Sequence, residues 1–316
     1  MKQSDIICIG EILVDLISEG AGIFRQYPGG APANVAVGLA QLGQAVSFAG
    51  RVGNDSFGRF LRQHLEKASI GTDGVVTDRD RQTRLVFVRL DEQGERSFEF
   101  FGEHPADLAL TAADIPAMIS KQAKVIHFGS LPLTNPKSYR EFERIVEKAG
   151  TDSLISFDPN YRESLWCSEM DAFRGLNSFA SKAHILKMDI EEAKFLCNCE
   201  DLDKALEILN FAATQVVAIT LGRGGCVLKT KNFTVKVAGF KVNVMDTTGC
   251  GDAFMAALID GILNLGREPE ILSHDELYAI GRRANAAGAL TAMRFGAMSG
   301  LPTSRELEEF LTTETD

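Results

Sequence analysis

The sequence lacks both a surplus of positive charge and a long uninterrupted apolar run. Its 33 Lys and Arg residues are outnumbered by 43 Asp and Glu residues, which gives a formal net charge of −10. Such an acidic excess is unfavourable for contact with nucleic acids or anionic membranes. The apolar run at residues 5–17 is short and is interrupted by Glu11 and Asp15, so it predicts neither a signal peptide nor a membrane span. We therefore expect no nucleic-acid partner and no membrane partner.

Cysteine is sparse and scattered. The 316 residues contain six Cys, all in apolar surroundings, which is typical of the reduced thiols of a cytoplasmic protein. Cys197 and Cys199 form a C-x-C pair, but no second pair lies nearby and the five His residues are dispersed. Two ordinary thiols at a helix end are therefore a better interpretation than half of a metal site.

Several common catalytic motifs are missing. There is no G-x4-G-K-[ST] phosphate loop, no G-x-S-x-G nucleophile elbow and no H-E-x-x-H zinc helix. The GRGG sequence at 222–225 follows a strand-like segment without opening a long helix, and GEILVD at 10–15 lacks a glycine fingerprint. Both observations argue against a dinucleotide-dependent oxidoreductase.

What the sequence does contain is a regular alternation of strand-like and helix-like segments. Short runs rich in β-branched residues occur at 45–53, 123–131, 153–160, 183–189 and 215–222. Helix-period segments lie between them, and this alternation predicts an α/β fold with a mostly parallel sheet and helices on both faces. No linker or repeat interrupts the pattern, so we predict one domain over residues 1–316.

One stretch departs from the alternation. Residues 84–101 have the period-2 pattern of two strands around a polar turn at Glu92, Gln93 and Gly94, which predicts a β-hairpin. An antiparallel hairpin inside a βαβ chain has to lie outside the main sheet. We therefore predict a small lid formed by residues of about 12–27 and 84–108.

The segment DTTGCGDAF at 246–254 is the strongest chemical signal. An apolar helical run follows it, so Gly249, Cys250 and Gly251 are predicted to form the turn at a helix N-terminus, where free amides attract anions. Asp252 would then lie beside a bound phosphoryl group and accept a proton from an attacking hydroxyl. A purely structural alternative is that Thr247 or Thr248 caps the helix and Asp252 complements its dipole.

Two further glycine-rich segments support a ligand site. Gly29 and Gly30 precede a predicted helix with Asn34 in its first turn, so the backbone could curl around a ligand while the amide binds hydroxyls. The segment ITLGRGGCVL at 219–228 is either a simple β-turn or a loop over the phosphates of a nucleotide. Each segment alone also fits a tight turn.

Together these segments resemble the ribokinase-like (PfkB) family of carbohydrate kinases. The two signatures are GGAPANVAVGLAQLG, near the N-terminus, and DTTGCGDAF. Intermediate segments at 10–15, 50–58, 158–162, 187–193, 220–225 and 284–298 also match, so the resemblance covers nearly the whole chain. It implies a three-layer α/β/α sandwich with a small β lid, ATP and Mg²⁺ as cofactors, and a homodimer formed through the lid.

The resemblance also implies roles for individual residues. Asp252 would be the general base, with Gly249, Cys250 and Gly251 as the anion hole. The acceptor would be held by residues of both halves of the chain, namely Asp15, Gly29, Gly30, Asn34, Phe101, Asn160 and Arg162. The nucleotide would contact Lys187, Asp189, Thr220, Gly222, Gly225, Gly251 and Asn285. Glu192 would hold hydrated Mg²⁺. Carbonyls near Asp246 and Thr248 would contribute to a K⁺ site together with the later RFGAMSG segment at 294–300.

Departures from the family pattern bear on the substrate. The sequence is most similar to the fructokinase branch, whose lid strand usually continues as F-Y-R-x-P-x-A-D, but Phe101 and Gly102 replace the Tyr-Arg pair here. Loss of the cationic fork leaves open fructose or a related sugar, a bulkier polyol (a nucleoside, a keto-sugar acid or an acarbose-like pseudo-oligosaccharide) and, less favoured, a non-catalytic sensor. Cys250 replaces the usual Ala, and Asp189 replaces the usual Asn, where it would tune Mg²⁺ binding.

Overall fold

A computed structural model describes residues 4–90, 96–115, 123–149, 153–209 and 211–314. Its strands are β1 (Ile6–Ile9), β2 (Leu13–Gly20), β3 (Ile23–Gly29), β4 (Val46–Gly53), β5 (Gly71–Asp78), β6 (Leu85–Leu90), β7 (Arg96–Phe101), β8 (Val125–Gly129), β9 (Leu154–Asp158), β10 (Ile185–Asp189), β11 (Val216–Thr220), β12 (Cys226–Lys229) and β13 (Thr234–Val237). Its helices are α1 (Ala31–Gln41), α2 (Ser56–Lys67), α3 (Pro136–Glu147), α4 (Glu169–Ala180), α5 (Ile190–Cys197), α6 (Leu202–Ile208), α7 (Cys250–Leu265), α8 (His274–Ala292), α9 (Ala297–Gly300) and α10 (Ser304–Thr313).

Nine strands form the main sheet, in the order β13-β12-β11-β10-β9-β8-β1-β4-β5. All neighbours from β11 to β5 pair in parallel, and only the two pairs at one edge, β11–β12 and β12–β13, are antiparallel, so that β12 alone runs against the other strands. The first strand lies between β4 and β8, so the chain builds the sheet outward on one side before it continues on the other. Ligands of such sheets bind beyond the carboxyl ends of the parallel strands, near a change of this kind in the winding direction.

The two faces of the main sheet are covered by different helices. Successive residues of β1 alternate between two apolar clusters, because neighbouring side chains of a strand point to opposite faces. Ile6 and Cys8 pack in a cluster with side chains of α1, α2, α7 and α8. Ile7 and Ile9 pack in the other cluster with side chains of α3, α4, α5 and α6. The predicted α/β sandwich with a mostly parallel sheet is confirmed.

A second sheet, which we call the lid, contains four strands in the order β3-β2-β6-β7. Two antiparallel hairpins, β2–β3 and β6–β7, are joined by parallel pairing of β2 with β6. Its apolar core is small and consists of Leu13, Val86 and Val88. The predicted turn at Glu92, Gln93 and Gly94 lies outside the described residues. No helix in the described part of the chain has the length and apolar character needed to span a membrane.

Candidate active site

The turn before α7 is built from glycine backbone. Gly249 is the N-cap of α7 with φ 81°, a left-handed conformation that favours glycine. A side chain there would also collide with the backbone of Ala297, because a Cβ would lie 2.9 Å from the Ala297 Cα. The helix therefore begins after Gly249, and neither Thr247 nor Thr248 occupies the N-cap position, so the structural alternative of a threonine cap is wrong. Gly249, Gly251 and Asp252 line the cavity described below, at the end of the helix where backbone amides lack carbonyl partners within the helix.

The buried carboxylate of Asp246 holds this turn in place. The Asp246 Oδ1 atom accepts a hydrogen bond from the Thr248 amide at 2.8 Å, and its Oδ2 atom accepts one from the Gly296 amide at 2.8 Å. Asp246 thereby ties the turn before α7 to the segment before α9. The two segments of the predicted K⁺ site are thus adjacent, while the Asp246 side chain itself is used for backbone contacts.

Asp252 lies in the first turn of α7 and is 9 % exposed. Its Oδ2 atom accepts a hydrogen bond of 2.7 Å from the side-chain amide of Asn34, at the start of α1. Burial raises the pKa of Asp252 to about 6, although the bond from Asn34 favours the charged form. At neutral pH the group is therefore mainly ionised and is poised to accept a proton.

The start of α1 lies beside this carboxylate. Gly30 is the N-cap, with φ 107°, and a Cβ on it would lie 2.6 Å from the Glu11 carbonyl oxygen. The Glu11 carboxylate accepts a hydrogen bond from the Ala31 amide at 3.2 Å. Gly29 is equally constrained, because a Cβ there would lie 2.2 Å from the Asp15 carboxylate. Gly30 thus lets the chain pass close to the Glu11 backbone, and Gly29 lets it pass close to the Asp15 side chain.

Lys187 supplies a buried positive charge beside residues 249–251, the predicted anion hole, which we call the anion turn. Its Nζ atom is 2.8 Å from the Asp158 Oδ2 atom, and a Cβ on Gly251 would lie 2.9 Å from the same Nζ. Burial disfavours the charged ammonium, but the carboxylates of Asp158 and Glu192 outweigh it and raise the pKa of Lys187. The ammonium is therefore permanently charged at a point that a bound phosphate would reach.

Asp189 and Glu192 form a capping box at the start of α5. The Asp189 Oδ1 atom accepts a bond from the Glu192 amide, and the Glu192 Oε2 atom accepts one from the Asp189 amide, each at 2.8 Å. The second Glu192 oxygen accepts the Tyr161 amide at 2.7 Å. Burial, together with the nearby charge of Asp158, raises the pKa of Glu192. Both acids therefore have structural roles in addition to their place in the cavity wall.

A cavity of ≈ 910 Å³ brings these groups together between the lid and the carboxyl end of the main sheet. Most of the predicted site residues line it, namely Asp15, Gly30, Asn34, Asn160, Arg162, Lys187, Asp189, Glu192, Thr220, Asp246, Thr248, Gly249, Gly251 and Asp252. Six do not, namely Gly29, Phe101, Cys250, Gly222, Gly225 and Asn285. Residues that are more than two hundred positions apart in the sequence, such as Asn34 and Asp252, thus line the same cavity.

The placement of Phe101 is a correction. Its ring packs on Phe87 with centroids 4.7 Å apart, and Phe87 in turn contacts Phe24, on the face of the lid away from the cavity. The rings that line the cavity are those of Phe98 and Phe100. Side chains of a strand alternate between faces, so residues 98 and 100 share the inner face and residue 101 lies on the outer face.

The three remaining predicted nucleotide contacts lie together next to the cavity. The Asn285 amide donates to the carbonyl oxygens of Val237 and Ala238 at 3.2 and 3.1 Å. Gly225, with φ 94°, approaches the same segment, because a Cβ on it would lie 2.0 Å from the Val237 oxygen. Gly222 starts the short 3₁₀ turn that leads there. These residues shape the end of β13, and their contact with a nucleotide stays a prediction.

Sequence reasoning missed several cavity residues. Glu11 is buried, and burial raises its pKa to about 8, while its Oε2 atom has no partner among the described residues. Trp166 lines the acceptor side, and Met245 and Phe295, which are largely exposed, line the opposite rim. Glu11 could have been predicted, because an acidic residue close after an apolar strand lies where ligands of a parallel sheet bind. The two exposed residues carry no such signal.

Metal ligands are present as carboxylates rather than as a preformed cluster. The described residues contain no group of three His, Cys, Asp or Glu side chains arranged to hold a metal ion. The buried Asp158 Oδ1 atom, however, has no hydrogen-bond partner there, and Asp189 and Glu192 line the cavity together with Lys187, the ion-pair partner of Asp158. Carboxylate oxygens suit a hydrated hard cation that also binds phosphate.

Comparison with known proteins agrees with this geometry. The family model described as pfkB family carbohydrate kinase matches residues 3–304. Fructokinase-1 of Zea mays is 35 % identical over 316 residues, which cover 97 % of this chain and 97 % of the maize protein.

Solved structures give the same result. A fructokinase from Xylella fastidiosa with bound ATP has a TM-score of 0.91 at 30 % identity, with all of both chains covered. A fructokinase from Vibrio cholerae O395, in a form with bound fructose, ADP and calcium ion, has a TM-score of 0.89 at 34 % identity. That match covers 98 % of this chain and 99 % of the other.

Proposed function

The chain belongs to the pfkB family of carbohydrate kinases, and from this premise we propose that it transfers the γ-phosphoryl group of ATP to a hydroxyl of fructose. It is an ATP-dependent sugar phosphotransferase by its family and by its full-length similarity to fructokinases. Fructose is the acceptor named in the similar Vibrio cholerae structure. A related sugar and the bulkier polyols named above remain alternatives.

One contact carries the proposal for the site. The 2.7 Å hydrogen bond from Asn34 to Asp252 joins the starts of α1 and α7, so that the acceptor side and the anion turn meet at one carboxylate. Asp252 cannot bind a phosphate itself, because both are anionic. Its free oxygen positions are suited to take the proton of an acceptor hydroxyl held by Asn34, Asp15 and the backbone at Gly30.

The rest of the mechanism is positioning and charge stabilisation. The amides around Gly249 to Gly251 donate to the oxygens of the γ-phosphoryl group as negative charge shifts toward the leaving ADP. Lys187, held by Asp158, lies beside the same turn and adds a positive charge. Arg162, with an exposed guanidinium at the cavity wall, contributes a second one. The lid excludes water that would otherwise hydrolyse ATP.

The cofactors follow from the donor atoms. The enzyme binds a nucleotide and works with a metal ion, and we propose Mg²⁺, held through water by Glu192 and Asp158, with Asp189 on the same side. When bound, Mg²⁺ neutralises charge on the phosphate oxygens. We also propose a K⁺ site between the Asp246–Thr248 turn and the segment before α9, which Asp246 holds together.

Two further expectations stay predictions. The outer face of the lid carries the Phe24, Phe87 and Phe101 rings, of which Phe101 is 47 % exposed, and this face is where we propose that a homodimer forms. A cytoplasmic location is consistent with the cysteines, all of which are free thiols. The sugar is the small-molecule partner.

A coupled assay of ATP consumption tests the acceptor. Fructose, glucose, ribose, a keto-sugar acid and adenosine are offered one at a time with MgATP, and the product is identified by mass and by NMR of the phosphorylated carbon. We expect the highest kcat/KM for fructose. A higher kcat/KM for the acid or the nucleoside would replace fructose by that class, and no turnover on any acceptor would contradict the proposed reaction.

A further inference from the structure

A second cavity of ≈ 710 Å³ opens next to the first. It lies between the inner face of the lid and residues 161–169, the segment that connects β9 with α4. Phe98, Phe100, Arg162 and Trp166 line both cavities, so the two are adjacent and only these side chains lie between them. The reaction proposed above leaves the second cavity unused.

The second cavity adjoins the acceptor end of the first. The lid rings Phe98 and Phe100 belong to the same inner face as Leu13 and Asp15, which line the main cavity together with Gly30 and Asn34. The nucleotide end is marked instead by Thr220 and the 244–248 segment, and none of these residues lines the second cavity. A ligand that fills the second cavity therefore extends from the acceptor.

Aromatic rings form firm walls in the second cavity. The Tyr161 ring stacks on Phe195 with centroids 4.8 Å apart and an interplanar angle of 7°. Trp166 is backed by Gly175, where a Cβ would lie 2.9 Å from the indole ring. Phe98 remains 38 % exposed, with the Arg162 guanidinium 5.8 Å from its ring centroid. Such an exposed ring in a cleft is stabilised when a ligand with an apolar face covers it.

The polar groups select a hydroxyl-rich, uncharged ligand. Glu163 and Glu169 contribute two carboxylates, against the single cation Arg162, which disfavours a phosphate or carboxylate ligand. These carboxylates and the Ser164 hydroxyl are good partners for vicinal sugar hydroxyls, whereas the Ser168 hydroxyl caps α4 and is hydrogen-bonded to Asp171. The Trp166 Nε1–H group is buried and has no acceptor among the described residues, so a ligand hydroxyl or water within reach would satisfy it.

We propose that this second cavity is a sugar subsite, so that the enzyme phosphorylates glycosylated fructose, a disaccharide whose second ring stacks on Phe98 and Trp166. This inference rests on the proposed function, because the fructosyl ring has to occupy the main cavity with its hydroxyl at Asp252. The second ring lies outside the reacting centre and adds binding energy. The subsite widens the substrate class from a monosaccharide to a keto-disaccharide.

The first experiment compares acceptors on the unmodified enzyme. Glucosyl-fructose disaccharides linked through O1, O3 or O4 of fructose are offered beside free fructose, since each linkage leaves different hydroxyls available. We expect a kcat/KM for at least one disaccharide that is within about tenfold of that for fructose or above it. Turnover of fructose with no turnover of any disaccharide would overturn the subsite and leave the proposed function standing. No turnover of fructose would contradict the proposed function itself.

The second experiment fills the subsite chemically in the folded enzyme. Cys167 is an exposed thiol on its wall and is absent from the lining of the main cavity, so a bulky maleimide attached there blocks the second cavity alone. We expect kcat/KM for the disaccharide to fall about tenfold or more, while the value for fructose stays within about threefold. The matched control is the C167S variant treated with the same reagent, in which both values should stay unchanged. An adduct that lowers both values equally, or neither, would overturn the subsite.

Discussion

The end of the main sheet and the inner face of the lid enclose the same cavity, but they differ in the kind of side chains they present and in how firmly these are held. On the sheet side, Asp252, Lys187 and Asp158 are buried and fixed by hydrogen bonds or an ion pair. On the lid side, a core of Leu13, Val86 and Val88 supports rings that remain partly open to solvent.

This difference separates two tasks. Phosphoryl transfer needs charged groups that are held in place before the substrate binds, because their reorganisation during the reaction raises the activation free energy. Acceptor binding tolerates a weakly packed wall, and a region with few buried contacts is able to open and close. We therefore expect changes on the sheet side to lower kcat and changes on the lid to raise KM.

The largest effect is expected from D252N. The amide keeps the size of the side chain and the contact with Asn34 but cannot accept the proton, so kcat should fall by about 10² to 10⁴-fold. ATP affinity, measured by calorimetric titration, should stay nearly unchanged. Retention of most of kcat would show that the sheet side does not supply the proton acceptor.

The next largest effect is expected from K187M. Removing the ammonium leaves the buried Asp158 carboxylate without its partner, so the free energy of unfolding should fall by about 3–5 kcal/mol. Urea denaturation followed by circular dichroism measures it. The control is K194M, whose exposed ammonium pairs with Glu191 and should matter little. Similar small losses in both variants would contradict the rigid character of the sheet side.

The pH dependence of the rate is the third test. Burial raises the pKa of Asp252 to about 6, and Asp252 is the base in the proposed mechanism, so kcat/KM should be flat above this value and fall about tenfold per pH unit below it. The charged groups that act on it are Asp158, Lys187 and Arg162. Initial rates between pH 5 and 8 measure the profile, and F100A should show the same profile as the native chain. If the midpoint of the pH profile differed between F100A and the native chain, the proposed division between a catalytic sheet side and an acceptor-binding lid would be wrong.

A smaller effect is expected on the lid. F100A removes a ring from the cavity wall and should raise KM for the acceptor by about tenfold while kcat changes by less than about threefold. F101A removes the adjacent ring from the outer face and should leave KM unchanged, which makes it a matched control. Steady-state kinetics with the best acceptor decides between them, and equal effects would show that Phe101 also reaches the substrate.

The smallest effect is expected from C250A. The anion turn acts through backbone amides, and the Cys250 thiol makes a long contact of 3.9 Å with the Asp246 carbonyl oxygen. We expect kcat to change by less than about twofold. Protection from maleimide inactivation in C250A, if the native enzyme is inactivated, would instead reveal a thiol-sensitive site.

Much of the fold could be predicted because its signals are local. The spacing of apolar runs indicated parallel strands and helices, and the period-2 pattern at residues 84–101 indicated the hairpin of the lid. The position of β1 between β4 and β8 could not be predicted, since strand order depends on contacts between distant segments.

The site was predicted unevenly for the same reason. Glycines before α1 and α7 mark close backbone approaches and are visible as motifs, whereas Lys187 and Asp158 meet only through sheet pairing. Phe101 was assigned to the wrong face of its strand. Val86 pairs with Phe100 in the lid, so the apolar Val86 and Val88 indicate that Phe100, and not Phe101, lies on the inner face. Two consecutive rings in one strand necessarily face opposite ways.

The bond between Asn34 and Asp252 also bears on how the protein is made. The two residues are 218 positions apart in sequence, and α1 and α7 pack so closely that a Cβ on Gly38 would lie 2.8 Å from the Ala256 Cβ. Contacts of such separation form late, because loop closure opposes them until both partners are available. During synthesis, the strands and helices of the first two hundred residues leave the ribosome well before α7 does. In the proposed mechanism the growing chain therefore has no proton acceptor for phosphoryl transfer until that helix docks, and we expect the onset of activity to report completed folding.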